Sequence, residues 1–220
     1  MRKRSPRPKV LLTGFAPFGG DTTNPSRDAA RLLHGRQIAG HRIVARELPT
    51  EFGASLRVLR AHVRDIRPRL VLCTGLAAGR EQVSIERIAI NIDDARIPDN
   101  AGHQPVDVPV VGNGPAAYFS TLPIKAILVA LREAGVPAEV SQTAGTFVCN
   151  HVFYGLMHTL RRRRTLRAGF VHVPWPVADA PSSDGAAGLT LPRIAEALRI
   201  VLHAALTTPT DRRIAAGTEY

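Results

Sequence analysis

Short apolar runs alternate with helical stripes along this chain of 220 residues. Lys9 to Thr13 reads as a buried strand, because Val10, Leu11 and Leu12 are consecutive and Gly14 follows. Asn24 and Pro25, a polar cap and a first-turn proline, open a helix that runs to Leu33. His41 to Leu48 reads as a second strand. Gly53 to Ile66 follows as a helix with Leu56, Leu59 and Val63 on one stripe. Arg69 to Thr74 gives a third strand, ended by Gly75. Val83 to Ile92 alternates and reads as one strand, with Glu86 on the face of Ile88, Ile90 and Ile92. Residues 93–114, rich in Pro, Gly, Asp and Asn, read as a long loop. Next come a helix over Leu122 to Glu133, a strand over Ala138 to Ser141 and a helix from Cys149 to Arg162. A strand over Ala168 to Val173 is stopped by Pro174, and a last helix covers Leu191 to Leu206.

Strands alternating with helices predict a mostly parallel, twisted sheet covered on both faces, a three-layer α/β/α sandwich. The expected organisation is a basic leader over 1–8, a single domain over 9–206 and a loose tail over 207–220. In such sheets reactive groups gather at the carboxyl ends of strands. Three features fall at such ends: Gly14 to Gly20, Gly145 to Asn150, and His172 to Trp175.

Composition narrows the function. Hydrophobic residues make up 45% of the chain, enough for a core on both sides of a sheet. The two cysteines, Cys73 and Cys149, are far apart and form no disulfide framework, which suits a reducing, cytoplasmic compartment. No apolar run approaches the roughly 20 residues that cross a bilayer, and no long apolar stretch follows the basic start as a secretory signal requires. The formal charge is +11, concentrated in Arg2, Lys3, Arg4, Arg7 and Lys9 and again in Arg161 to Arg164 with Arg167. Nucleic-acid binding is the reading such charge invites. Aromatics are only 5% and do not interleave with the basic residues, so a solvated basic face is the simpler account.

The candidate chemistry centres on Cys149. A strand leads into a glycine-containing turn, and the cysteine sits where a helix begins. Free amides and the helix dipole there favour thiolate and can hold an oxyanion. Cys73, inside the strand, reads as core. A thiol nucleophile needs a base. His151 and His158 share the helix of Cys149 but point away from it, and they lie about 10 Å apart, too far to share one metal ion. His172 interrupts the apolar run before Pro174 and is the better placed. A carboxylate would orient its ring. Glu86 on its alternating strand is one candidate, with Asp94 and Asp99 as rivals and an ion pair to Arg80 or Arg87 as the alternative for Glu86. The loop from Thr13 to Gly20 lacks phosphate-loop spacing, and Phe15 and Phe18 in it point to an apolar slot.

Four stretches carry a resemblance to pyroglutamyl peptidase I, a family of cysteine peptidases. They are VLLTGFAPFGG at Val10 to Gly20 with Asn24 to Ser26, SIERIAINIDDARIPDN at Ser84 to Asn100, SQTAGTFVCNHVFYGLMH at Ser141 to His158, and GFVHVPW at Gly169 to Trp175. TLPIK at Thr121 to Lys125 adds a weaker fifth. The resemblance implies an α/β sandwich that removes an N-terminal pyroglutamyl residue from peptides, without a cofactor or metal, and that assembles as a homotetramer. It implies Cys149 as nucleophile, His172 as general base and Glu86 as the third member. Phe15 and Phe18 would flank the pyroglutamyl ring, with Asn24, Thr50, Ile97, Phe147 and Val148 around it. Arg96 would support the reacting carbonyl, and Asp99 would be structural support. Leu76 departs from the pattern, standing where many relatives carry glutamine. Two other readings stay open: another thiol amidohydrolase on this scaffold, and a nucleic-acid-binding side activity of the basic segments.

Overall fold

The computed structural model describes residues 7–163, 165–177 and 189–217. Its framework is a seven-stranded sheet in the order β2-β3-β1-β4-β9-β5-β8. The strands are β1 (Lys9–Phe15), β2 (Gln37–Ile38), β3 (His41–Leu48), β4 (Leu70–Leu76), β5 (Val83–Glu86), β8 (Ala138–Ser141) and β9 (Arg167–Val173). A separate two-stranded sheet pairs β6 (Ile88–Ile90) with β7 (Ala117–Phe119). β3, β1, β4 and β9 run parallel, whereas β5 runs antiparallel to β9 and parallel to β8.

The helices are α1 (Pro25–Leu32), α2 (Ala54–Ile66), α3 (Ile124–Glu133), α4 (Val148–Leu160) and α5 (Leu191–Thr207). Side-chain alternation sorts them into two layers. Val10, Leu12, Leu70, Leu72 and Val171 face Ala29 of α1, Ile127 of α3 and Leu198 of α5. Leu11, Phe15, Val71, Cys73 and Phe170 face Leu59 of α2 and Phe153 of α4. The three-layer α/β/α sandwich is thus the observed architecture. Each fully buried large aliphatic or aromatic side chain in these layers contributes about 1.5–3 kcal/mol.

Three features differ from the sequence expectation. The run Val83 to Ile92 is two strands, broken at Arg87, so Glu86 does not share a core face with Ile88, Ile90 and Ile92. The Arg87 amide still bonds the Ser141 carbonyl at 2.9 Å, but beyond it the chain leaves β8 and pairs with β7. Ile88 and Ile90 are only half-buried there, and Ile92 is exposed. Secondly, the tail expected to be loose is tied to the fold at Asp211 and Ala216, while residues 212–215 are exposed. Asp211 accepts the Lys125 and Ala126 amides at 3.1 and 2.9 Å, capping α3, whose own cap position, Pro123, offers no side-chain acceptor. Arg167 reaches the Thr208 and Pro209 carbonyls. Thirdly, β2 and β7 were not legible as strands. Of the expected leader, only Arg7 and Pro8 lie within the described residues, and Arg164 of the second basic run lies outside them.

Candidate active site

The carboxyl ends of β1, β4 and β9 meet the amino end of α4 around a cavity of about 230 Å³. Cys149 and His172 both line it, with Phe15, Phe18, Asn24, Thr50 and Phe147. Seven of the residues expected at the site therefore share one cavity. Glu86 stands behind the imidazole, fully buried, and its Oε1 accepts the His172 Nδ1–H at 2.7 Å. This pairing leaves His172 Nε2 as the nitrogen available on the cavity side. The antiparallel register explains the meeting: Ser84 stands opposite His172, and Glu86, two residues on, shares its face.

Glu86 Oε1 also accepts Arg80 Nη1 at 2.8 Å, and Arg80 Nη2 donates to the Thr143 carbonyl at 3.0 Å. Both partners considered for Glu86, an imidazole and an arginine, are thus present together. Arg80 itself lines the cavity, as do Leu76, Ala77, Ala144 and Gly145. It escaped sequence reasoning as a site residue because nothing in the spacing shows that the β4–β5 turn folds back over the strand ends.

Cys149 lies in the first turn of α4 and is half-buried. The cap position, Phe147, supplies no side-chain acceptor, unlike Asn24 at α1 and Thr190 at α5. Among the described residues, the Val148, Cys149 and Asn150 amides accordingly have no acceptor, and the first intrahelical bond runs from His151 to Phe147. Burial pushes the Cys149 thiol up to about 12, the Glu86 carboxylate adds to the rise, and Arg80 opposes it. Desolvation and the Glu86 charge thus oppose the helix end, which favours the thiolate.

Gly75 is a second residue that sequence reasoning missed. A Cβ there would lie 2.8 Å from Cys149 Sγ and 2.9 Å from Phe170 Cζ. The sulfur therefore packs directly on the backbone of β4. Strand parity held the signal: Val71, Cys73 and Gly75 share the face toward α4, and the last must be bare where Cys149 approaches.

Three expected pocket residues do not line the cavity. Arg96 is exposed on its loop, Ile97 is half-buried, and Val148 points wholly into the α2/α4 core. Asp99 is also outside the cavity, but it is tied to its surroundings. Its carboxylate accepts the Phe52, Ala101 and His103 amides at 2.8–2.9 Å. Burial alone would raise this carboxyl, but the three amides hold it below the usual carboxylate range.

His151 points away from Cys149. Its Nδ1–H donates to Asp93 at 2.7 Å, and its Nε2 accepts the Gly53 amide at 3.0 Å. The Phe52 ring stands edge-on to both His151 and Phe147, with centroids 5.4 Å apart in each case. His151 thereby buttresses the Phe147 wall. His158 is occupied by the Tyr118 hydroxyl. Cys73 is fully buried in the core.

The family model described as pyroglutamyl peptidase matches residues 8–208. The chain belongs to this family. It is 53% identical over 211 residues to the pyrrolidone-carboxylate peptidase of Klebsiella pneumoniae, covering 96% of this chain and 99% of that protein. Identity to the enzyme of the same name from Chromobacterium violaceum is 55%, over 95% and 98% of the two chains. Among solved structures, pyroglutamyl peptidase I from Bacillus amyloliquefaciens superposes with a TM-score of 0.89 at 45% identity, covering 95% of this chain and all of that one. The pyrrolidone carboxyl peptidase of Thermococcus litoralis gives 0.87 at 35% identity, with 94% and 99% covered. The match spans the whole sandwich, including every element that supplies the cavity of this pyroglutamyl peptidase family member.

Proposed function

We propose that this chain hydrolyses the amide bond after an N-terminal pyroglutamyl residue, with Cys149 as nucleophile, His172 as acid–base and Glu86 as its orienting carboxylate. The observation that carries the reading is the His172–Glu86 pair at 2.7 Å behind a small cavity that also contains Cys149 and three phenylalanines. Phe15, Phe18 and Phe147 form apolar walls for the flat lactam ring. Among the described residues no carboxylate lines the cavity, and Arg80 does. A charged amino terminus entering it would lose solvation without a partner and would meet a like charge, whereas a lactam carries no charge.

Attack transfers the Cys149 proton to His172 Nε2 as the sulfur bonds to the pyroglutamyl carbonyl carbon. The unclaimed amides of the α4 first turn receive the developing oxyanion. His172 then returns the proton to the departing amine, and the C–N bond breaks, leaving a thioester. A water that gives its proton to His172 cleaves the thioester, releasing pyroglutamate and restoring the thiol. The imidazolium formed at each stage faces the Glu86 carboxylate.

The test is a panel of pyroglutamyl, prolyl and alanyl amides with the wild type and Cys149→Ala. Release from the pyroglutamyl substrate alone, abolished in the variant while its melting curve persists, is the expected result. Equal turnover of the alanyl amide would instead make this another thiol amidohydrolase. The chain acts as a homotetramer in the cytoplasm on the same reading, supported by family resemblance and by two unpaired cysteines. Light scattering of the purified protein checks the subunit number.

A further inference from the structure

The far rim of the sheet carries a second cleft that the peptidase chemistry does not use. β3, β1, β4 and β9 begin there, whereas the opposite ends of β1, β4 and β9 form the Cys149 cavity. This cleft encloses about 880 Å³ and is lined by Arg7, Lys9, His41, Arg67, Arg69 and Arg167, with no carboxylate in its wall among the described residues. Adjacent strands lie about 4.8 Å apart. Lys9 and Arg69 therefore stand side by side on one face at the starts of β1 and β4, and Arg167, opposite Leu70, reaches the cleft from the α5 face. The Arg69 amide bonds the Lys9 carbonyl at 2.8 Å, and Leu70 stands opposite Arg167.

Of these cations, Arg167 has an evident structural task, bonding carbonyls at the end of α5. Lys9, Arg67 and Arg69 are exposed, and they form no ion pair among the described residues. The ends of α2 and α5 reach the cleft, each offering roughly half a negative charge. That leaves most of the charge of Arg7, Lys9, Arg67, Arg69 and Arg167 unbalanced.

We propose that this cleft binds a linear chain of three or more phosphates, free or as the tail of a nucleotide. Guanidinium and ammonium groups on several sides of one cleft can each meet a different phosphate, and guanidinium forks take two oxygens at once. The volume exceeds what a single phosphate fills. His41 supplies the only aromatic ring in the described wall, and its Nδ1 is engaged with the Ala39 carbonyl. Neither a carboxylate nor a side-chain amide is present among the described residues to read a base or a ribose, so recognition rests on the phosphates.

Titration calorimetry of the full chain with inorganic tripolyphosphate, ATP and a ten-nucleotide oligo-dT tests this. Saturable tripolyphosphate binding that weakens as salt rises is expected. The combined variant Lys9→Glu, Arg67→Glu, Arg69→Glu should lose about tenfold or more in affinity. The charge-matched variant Arg36→Glu, Arg132→Glu, Arg212→Glu alters exposed residues outside the cleft and should lose less than about threefold. Equal affinity for tripolyphosphate and ATP marks a free chain as ligand, and tighter ATP marks a nucleotide tail. Equal losses in the two variants would reduce the effect to net charge and overturn the proposal. So would the absence of saturable tripolyphosphate binding, or binding of the oligonucleotide alone. Melting curves report folding of each variant, and Lys9→Gln with Arg69→Gln serves if the triple variant does not fold.

Discussion

Glu86 holds two cationic or protonated partners on one oxygen, His172 and Arg80, while its buried Oε2 has no partner among the described residues. Its charge therefore matters more than its shape. Glu86→Gln keeps the volume and an acceptor oxygen but removes the charge facing the imidazolium. We expect kcat to fall on the order of 10²–10⁴-fold while KM changes less than about threefold. Steady-state kinetics on a pyroglutamyl amide decide it, and a rise in KM at unchanged kcat would make Glu86 a binding residue. At this scale the sequence was partly legible. An acid on an alternating strand and a histidine ending an apolar run could each be singled out. Their meeting could not, because it depends on β5 running against β9, and pairing direction leaves no mark in either segment.

Helix ends show how segments far apart in sequence depend on one another. α1 and α5 carry their own caps, Asn24 and Thr190. These two starts were readable because the cap lies in the adjoining sequence. α3 is capped by Asp211, 86 residues away from Lys125, and that tie turns the expected loose tail into part of the fold. Asp211→Ala should cost about 1 kcal/mol and release the tail. Urea unfolding measures the first, and proteolysis after residue 207 measures the second. A variant as stable and as resistant as the wild type would show the cap to be incidental. The two short strands β2 and β7 were invisible for a related reason: two or three residues carry no periodicity, and only their partners define them. The split at Arg87 was hidden because alternation continues across it while the partner strand changes.

For the molecule as a whole, the buried Cys73 thiol ties stability to alkaline pH. Burial pushes Cys73 from 9.0 to about 12, with the Thr13 hydroxyl opposing weakly. The folded chain thus keeps this thiol neutral where the unfolded chain ionises it. The resulting stabilisation is complete below pH 9 and is lost as pH climbs toward 12. The loss is on the order of 1 kcal/mol between pH 8 and 10. Melting curves of the wild type and Cys73→Ala over that range should diverge in slope, the wild type falling more steeply. Parallel slopes would remove Cys73 from the account. The sandwich itself was the most legible level, since segments such as Lys9 to Thr13 and Ala168 to Val173 are long enough to declare strands buried on both faces.

The bare backbone of Gly75 has one more consequence. Because Cys149 Sγ rests against β4 on one side, an oxygen atom added to that sulfur by peroxide has to enter the substrate slot. Oxidative damage and product occupancy then compete for the same space, and pyroglutamate should shield the enzyme from inactivation in proportion to its saturation. Inactivation rates in peroxide that ignore added pyroglutamate would show the sulfur to be open from another side.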